Sequence, residues 1–121
     1  MYAIAAPLLR NKVEAWKAWI HECQDSRREE FEDLNDRMQL TLHRAWLIRS
    51  EEGPQVIVVF DGPGAKSFLR NLAKSRESFD KWFRERITEY HGVDFSKVDA
   101  IPPSELCMDY HAPSYAGAGG K

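Results

Sequence analysis

The run Val56-Ile57-Val58-Val59-Phe60 constrains this chain more than any other feature. It is too short for a buried helix, and turn residues bound it on both sides, Glu51-Glu52-Gly53-Pro54 before it and Gly62-Pro63-Gly64 after it. Such a run reads as a strand. Successive side chains of a strand point to opposite faces, so this one is apolar on both and its sheet needs cover on both sides. Thr41 to Arg49 alternates and is rich in strand formers, so with Gln55 to Phe60 it predicts a β-hairpin. Tyr2 to Leu9 is again apolar on both faces, as a central strand would be, with Pro7 weakening its end because proline donates nothing to a ladder.

Between these strands the period changes. Val13, Trp16, Ile20, Cys23, Arg27, Phe31, Leu34 and Met38 recur at steps of three and four behind Asn11, a helix-capping residue type. Unbroken, that helix would be about 39 Å long, against a diameter of about 35 Å for a globule of this size. A long helix, kinked near Asp25, is the expectation. Ser26-Arg27-Arg28-Glu29 has the capping-box pattern and offers a full break as the competing reading. A second helical region carries Phe68, Leu69 and Leu72, then, after Ser75, Phe79, Trp82, Phe83, Ile87 and Tyr90, with Gly92 placed to cap its end. Val93 to Pro103 reads as a loop laid over the core by Phe95, Val98 and Ile101, and Glu105 to Tyr110 as a last strand. Residues 112–121, rich in glycine and alanine, read as a flexible tail behind a single domain of residues 1–111.

The order strand, helix, strand, strand, helix, strand predicts an α+β fold of the ferredoxin-like βαββαβ kind. Its sheet would be four-stranded and antiparallel, with the helices on one face. The other face would then hold apolar side chains from each strand, so a homodimer with two sheets packed face to face is expected.

Composition limits the partners. The chain has 121 residues, with 17 Lys and Arg against 19 Asp and Glu. That near-balance predicts no nucleic-acid partner, which would call for a basic excess or patch. Arg27, Arg28, Arg37, Lys74, Arg76, Arg84 and Arg86 are interleaved with acids and read as solvated helix faces. The apolar start lacks a basic leader and meets Pro7 and Arg10 early, so neither a secretory signal nor a membrane span is expected. Cys23 and Cys107 are far apart, sit among apolar neighbours and read as buried, unreactive thiols. A cytoplasmic location follows as the expectation.

Two stretches, Ser26-Arg27-Arg28-Glu29-Glu30-Phe31 and Pro102-Pro103-Ser104-Glu105-Leu106-Cys107-Met108-Asp109-Tyr110, resemble an uncharacterised family of small bacterial proteins. That family is similar in fold to the dimeric α+β barrels, a superfamily that includes cofactor-independent monooxygenases, muconolactone isomerase and haem-degrading enzymes. By element order the resemblance covers residues 2 to 110. It implies a dimeric α+β barrel; it implies no particular reaction and no cofactor.

Five residues stand out as candidate ligand-binding positions. Arg27 lies on the apolar helix stripe, where a charge needs a partner or a way to water. It reads either as an anion-binding group facing a cavity or as a side chain that snorkels out or pairs with Glu30. His43 and Arg44 are adjacent on one strand and face opposite ways, one toward the helices and one toward the dimer face. Arg44 with Trp46 would give a small-ligand site one charge and one flat wall; an Arg44–Asp109 salt bridge between subunits is the alternative. Tyr110 joins the group through the last strand. The histidines His21, His43, His91 and His111 lack the helical i, i+4 or strand HxH spacing of a metal site, so none is expected. Spacing does not single out His43 or His91 as a haem ligand. No GxSxG, GxGxxG or phosphate-loop motif occurs.

The functional expectation is a small homodimer that binds a small apolar or aromatic molecule between sheet and helices, without established catalysis. The alternatives are a cofactor-independent monooxygenase or isomerase, by analogy of fold, and a purely structural or regulatory dimer.

Overall fold

The computed structural model describes residues 1–113. Strands β1 (Tyr2–Pro7), β2 (Leu42–Ile48) and β3 (Gln55–Asp61) form one sheet, and helices α1 (Val13–Gln24), α2 (Arg28–Arg37), α3 (Phe68–Lys74) and α4 (Ser78–His91) accompany it. Short 3₁₀ turns at Arg10–Lys12, Ala65–Ser67 and Phe95–Ala100 complete the order. The sheet has three strands in the order β1-β3-β2, and β3 is antiparallel to both neighbours. The expected β2–β3 hairpin is therefore present, turned at Gly53 with φ 124°.

The register sets two faces. On one face lie the rows Tyr2–Phe60–His43, Ile4–Val58–Ala45 and Ala6–Val56–Leu47; on the other lie Ala3–Val59–Arg44, Ala5–Ile57–Trp46 and Pro7–Gln55–Ile48. The helices pack against the first face, leaving Ala45 on it exposed. Trp16, Trp19 and Cys23 of α1, Leu34 of α2, Phe68 and Leu72 of α3 and Phe79, Phe83 and Tyr90 of α4 are buried with Val56 and Phe60. Each such large side chain contributes roughly 2 to 3 kcal/mol of transfer free energy. The second face stays open, with Trp46 and Ile48 49% and 46% exposed.

The expected four-stranded ferredoxin-like barrel sheet is overturned by this three-stranded order. Glu105 to Tyr110 carries the alternation of a strand, yet it makes no ladder, and Leu106, Met108 and Tyr110 are 76%, 86% and 76% exposed. Pro102 and Pro103, which have no N–H to donate, lead into it. It meets β1 through a side chain, Ala3 N–H donating to Ser104 Oγ at 3.2 Å. Alternation supplies a strand's faces; pairing needs a partner backbone.

The first helical stripe is two helices rather than one long one. Asp25 (φ −130°, ψ −87°) and Arg27 (φ −115°, ψ 28°) leave helical geometry. The Asp25 and Arg27 N–H groups both turn back to the Glu22 carbonyl, at 3.3 and 2.8 Å. Ser26 does not close the capping box: no side-chain cap bond forms at the start of α2. Asn11 does not cap α1 either, since it lies inside the preceding 3₁₀ turn. Gly92 ends α4 in the left-handed conformation, φ 71°, as expected.

The helix-face arginines are not all solvated. Arg37 of α2 grips Asp80 of α4 with two bonds of 2.8 Å, and the Asp80 carboxylate is fully enclosed, also accepting from Ser75 Oγ. Arg84 donates to the carbonyls of Leu72 and Ser75 at 2.9 and 2.8 Å, fastening the α3–α4 corner. The tail expected at 112–121 lies, from residue 114 onward, outside the described residues.

Candidate functional site

Between the covered face of the sheet and the helices lies a cavity of about 660 Å³. The room comes from small side chains on its floor: Ala6 and Ala45 flank Val56 and Val58 where larger residues would fill the layer. Trp16, Trp19 and Ile20 of α1, Phe31 of α2, Phe68 of α3 and Phe83 of α4 form walls and roof. Exposed Lys97, Ala100 and Pro102 belong to its border. Pockets of this size and apolar character are typical of small-molecule sites.

His43 is the polar side chain set into the aromatic part of the lining. Its ring centroid lies 4.9 Å from Phe60, 5.3 Å from Phe31, 5.4 Å from Phe68 and 6.2 Å from Phe83. This aromatic cage strips water from the ring and pushes its pKa down to about 4, so His43 is neutral at pH 7. Its Nδ1 is 2.8 Å from Asn35 Oδ1. His91, at the end of α4, also borders the cavity; its Nδ1 donates to the Pro7 carbonyl at 2.9 Å, and burial lowers its pKa against the opposing pull of that bond.

The structure resolves which strand residue faces the helices: His43 does, and Arg44 with Trp46 lies on the open face. Arg44 and Trp46 still border the cavity along β2, but they do not share a wall with His43. Arg44 makes no salt bridge among the described residues. Arg27 lies outside the cavity lining. Its guanidinium holds Glu30 at 2.8 and 3.1 Å and lies 4.0 Å from the Trp82 ring centre and 4.9 Å from that of Phe79. Its role there is to fasten the start of α2 onto α4. Tyr110 is exposed and outside the cavity lining, and Asp109 pairs with His111 at 3.1 Å.

Cys23 is buried beside the cavity, and loss of solvent pushes its thiol pKa up to about 12, which leaves it unreactive. Cys107 is exposed rather than buried, because the segment that carries it stays outside the sheet; both thiols are free. Among the described residues no group of three or more metal-ligating side chains comes together, and no helix is long and apolar enough to cross a membrane.

Sequence reasoning missed Asn35 and Trp19. Asn35 follows Phe31 by four residues, so both share a helix face beside the histidine, but nothing in the sequence ties that face to strand β2. Trp19 follows Trp16 by three residues, a spacing that widened the buried face of α1 beyond the stripe read from Val13 and Ile20. Comparison with family models, with curated proteins and with solved structures gave no match to this chain.

Proposed function

We propose that this protein binds a small apolar or aromatic molecule in the cavity between its sheet and helices. The observation that supports this reading is the cavity itself: about 660 Å³ bordered by three tryptophans, four phenylalanines and few polar groups. It is a cleft rather than a sealed void: Ala45 on its floor is exposed and Ile4, Ala6 and Val58 are only half-buried, so an apolar molecule seated there would take that surface out of water.

N-phenyl-1-naphthylamine, whose fluorescence rises in apolar surroundings, tests the reading. One dye per chain should bind saturably, and Ala45→Phe, which fills the floor, should weaken binding at least tenfold. Absence of saturable binding, or equal binding by the filled variant, would overturn it.

The open sheet face supports a second element of the proposal, a homodimer. Ala3, Ala5, Ile57, Val59, Trp46 and Ile48 make that face apolar, with Arg44 as a charge that has no salt-bridge partner among the described residues. The exposed segment after Pro103 alternates acids with apolar groups, Glu105, Leu106, Met108, Asp109 and Tyr110. Its charge complements Arg44, yet within one chain it follows Ser104, which is bonded to β1 at the other edge of the sheet from β2. A second copy is the occupant that brings these two surfaces together.

A further inference from the structure

The reading of the cavity as a ligand site can be carried to the chemistry of the ligand, through a chain of hydrogen bonds that fixes one proton. Asn35 Nδ2 donates to the Phe31 carbonyl at 2.9 Å. That bond settles the orientation of the amide, because a carbonyl oxygen accepts and never donates. Asn35 therefore presents its oxygen to His43, and an oxygen 2.8 Å from Nδ1 requires a proton on Nδ1. A neutral imidazole carries one proton only. Nε2 is then a bare lone pair, an acceptor with nothing to donate.

Nε2 has no hydrogen-bond partner among the described residues, and it is not among the buried atoms sealed off without one. Trp19 Nε1, by contrast, is sealed and unpaired, and so is not open to a ligand. The cavity thus offers an accessible histidine acceptor inside aromatic walls. A hydrocarbon would leave that acceptor dry and unpaired. A molecule carrying an anion or a second acceptor would meet repulsion there.

We infer that the ligand is a neutral, largely aromatic molecule carrying one hydrogen-bond donor, an N–H or O–H, which it gives to His43 Nε2. This rests on the proposed ligand-binding role of the cavity. The role of Asn35 is positioning: it acts through His43 by holding the proton on Nδ1.

Carbazole and fluorene test the inference, since they share one tricyclic shape and differ by N–H against CH₂. Each is titrated against N-phenyl-1-naphthylamine bound to the full chain. Carbazole is expected to displace the dye at a concentration at least tenfold lower than fluorene. In His43→Phe the two should come within twofold of each other. Equal displacement by both in the wild-type protein would overturn the inference while leaving the cavity a ligand site, as would a carbazole preference that survives in His43→Phe. Failure of the dye and both tricyclic molecules to bind would remove the underlying reading as well. The wild-type comparison decides the matter even if the variant does not fold.

Discussion

Asn35 Oδ1 lies 2.8 Å from His43 Nδ1, and this contact joins helix α2 to strand β2 at the edge of the aromatic cavity. It gives a buried imidazole a partner and a fixed tautomer. Replacing Asn35 with leucine leaves the Nδ1–H without an acceptor in a dry site, an expected loss of about 1 to 3 kcal/mol. Urea unfolding of Asn35→Leu against wild type measures it; an unchanged midpoint would show that the bond contributes nothing.

His43 also predicts a pH dependence. Its folded pKa of about 4 lies below the ordinary value of 6.5 because burial disfavours the charged ring. Between those values the unfolded chain takes up a proton that the folded chain refuses, so stability falls as the pH drops from about 6.5 toward 4. The full effect is on the order of 3 kcal/mol. His91, lowered by burial in the same direction, adds to it. Denaturant midpoints at pH 7 and pH 4.5 should differ, and His43→Phe should reduce the difference.

The Arg37–Asp80 pair predicts a large effect from a small change. Burial alone would raise the Asp80 pKa, but bonds from Arg37 and Ser75 hold it below the usual carboxylate value. Asp80→Asn removes the charge and one acceptor while keeping the shape. A loss of about 3 kcal/mol is expected, near the low end for breaking an enclosed pair because Arg37 keeps some access to water. Thermal melting tests this, and a fall of less than 1 °C would contradict it.

Gly64 predicts a packing failure. A Cβ there would collide with the Met38 carbonyl oxygen, where the end of α2 passes under the turn after β3. Gly64→Ala should cost about 1 to 3 kcal/mol as the backbone shifts. Gly92→Ala, with open space but φ 71°, should cost about 1 to 2 kcal/mol from backbone strain alone. Comparable melting temperatures for Gly64→Ala and wild type would contradict the packing seen at this corner.

The open face predicts self-association. Sedimentation at micromolar concentration should give twice the 14.0 kDa chain mass, and Trp46→Glu, which places a charge on the exposed face, should return the monomer. A wild-type monomer under those conditions would contradict the dimer.

These relationships differ in how far the sequence reveals them. The β2–β3 hairpin is legible because Val56 to Phe60 and the Gly53 turn act locally. Both α4 and its Gly92 cap are legible for the same reason. Glu105 to Tyr110 misleads because alternation marks which faces a strand would have, whereas pairing is decided by a neighbouring backbone that residues 102–110 do not meet. The break at Asp25 is visible only as an alternative, since the stripe from Val13 to Met38 continues through it and the Glu22 carbonyl that ends α1 is not a side-chain signal. The cavity is hidden for a different reason. Phe31, Phe68 and Phe83 show the same periodicity whether the space between them is filled or empty, and Ala6 and Ala45, which leave it empty, look like ordinary strand positions. Of the candidate residues, His43 is set into the aromatic cavity while Arg27 and Tyr110 are not: Arg27 sits at the break before α2, held by Glu30 and Trp82, and Tyr110 lies on an exposed segment outside the sheet.

Nitrogen-15 NMR of the histidine side chains tests the central claim most directly. At pH 7 His43 should show a protonated Nδ1 and a bare Nε2, and carbazole should shift the Nε2 resonance toward that of a hydrogen-bonded acceptor while fluorene leaves it in place. A proton on Nε2 in the free protein, or the same response to both molecules, would contradict it.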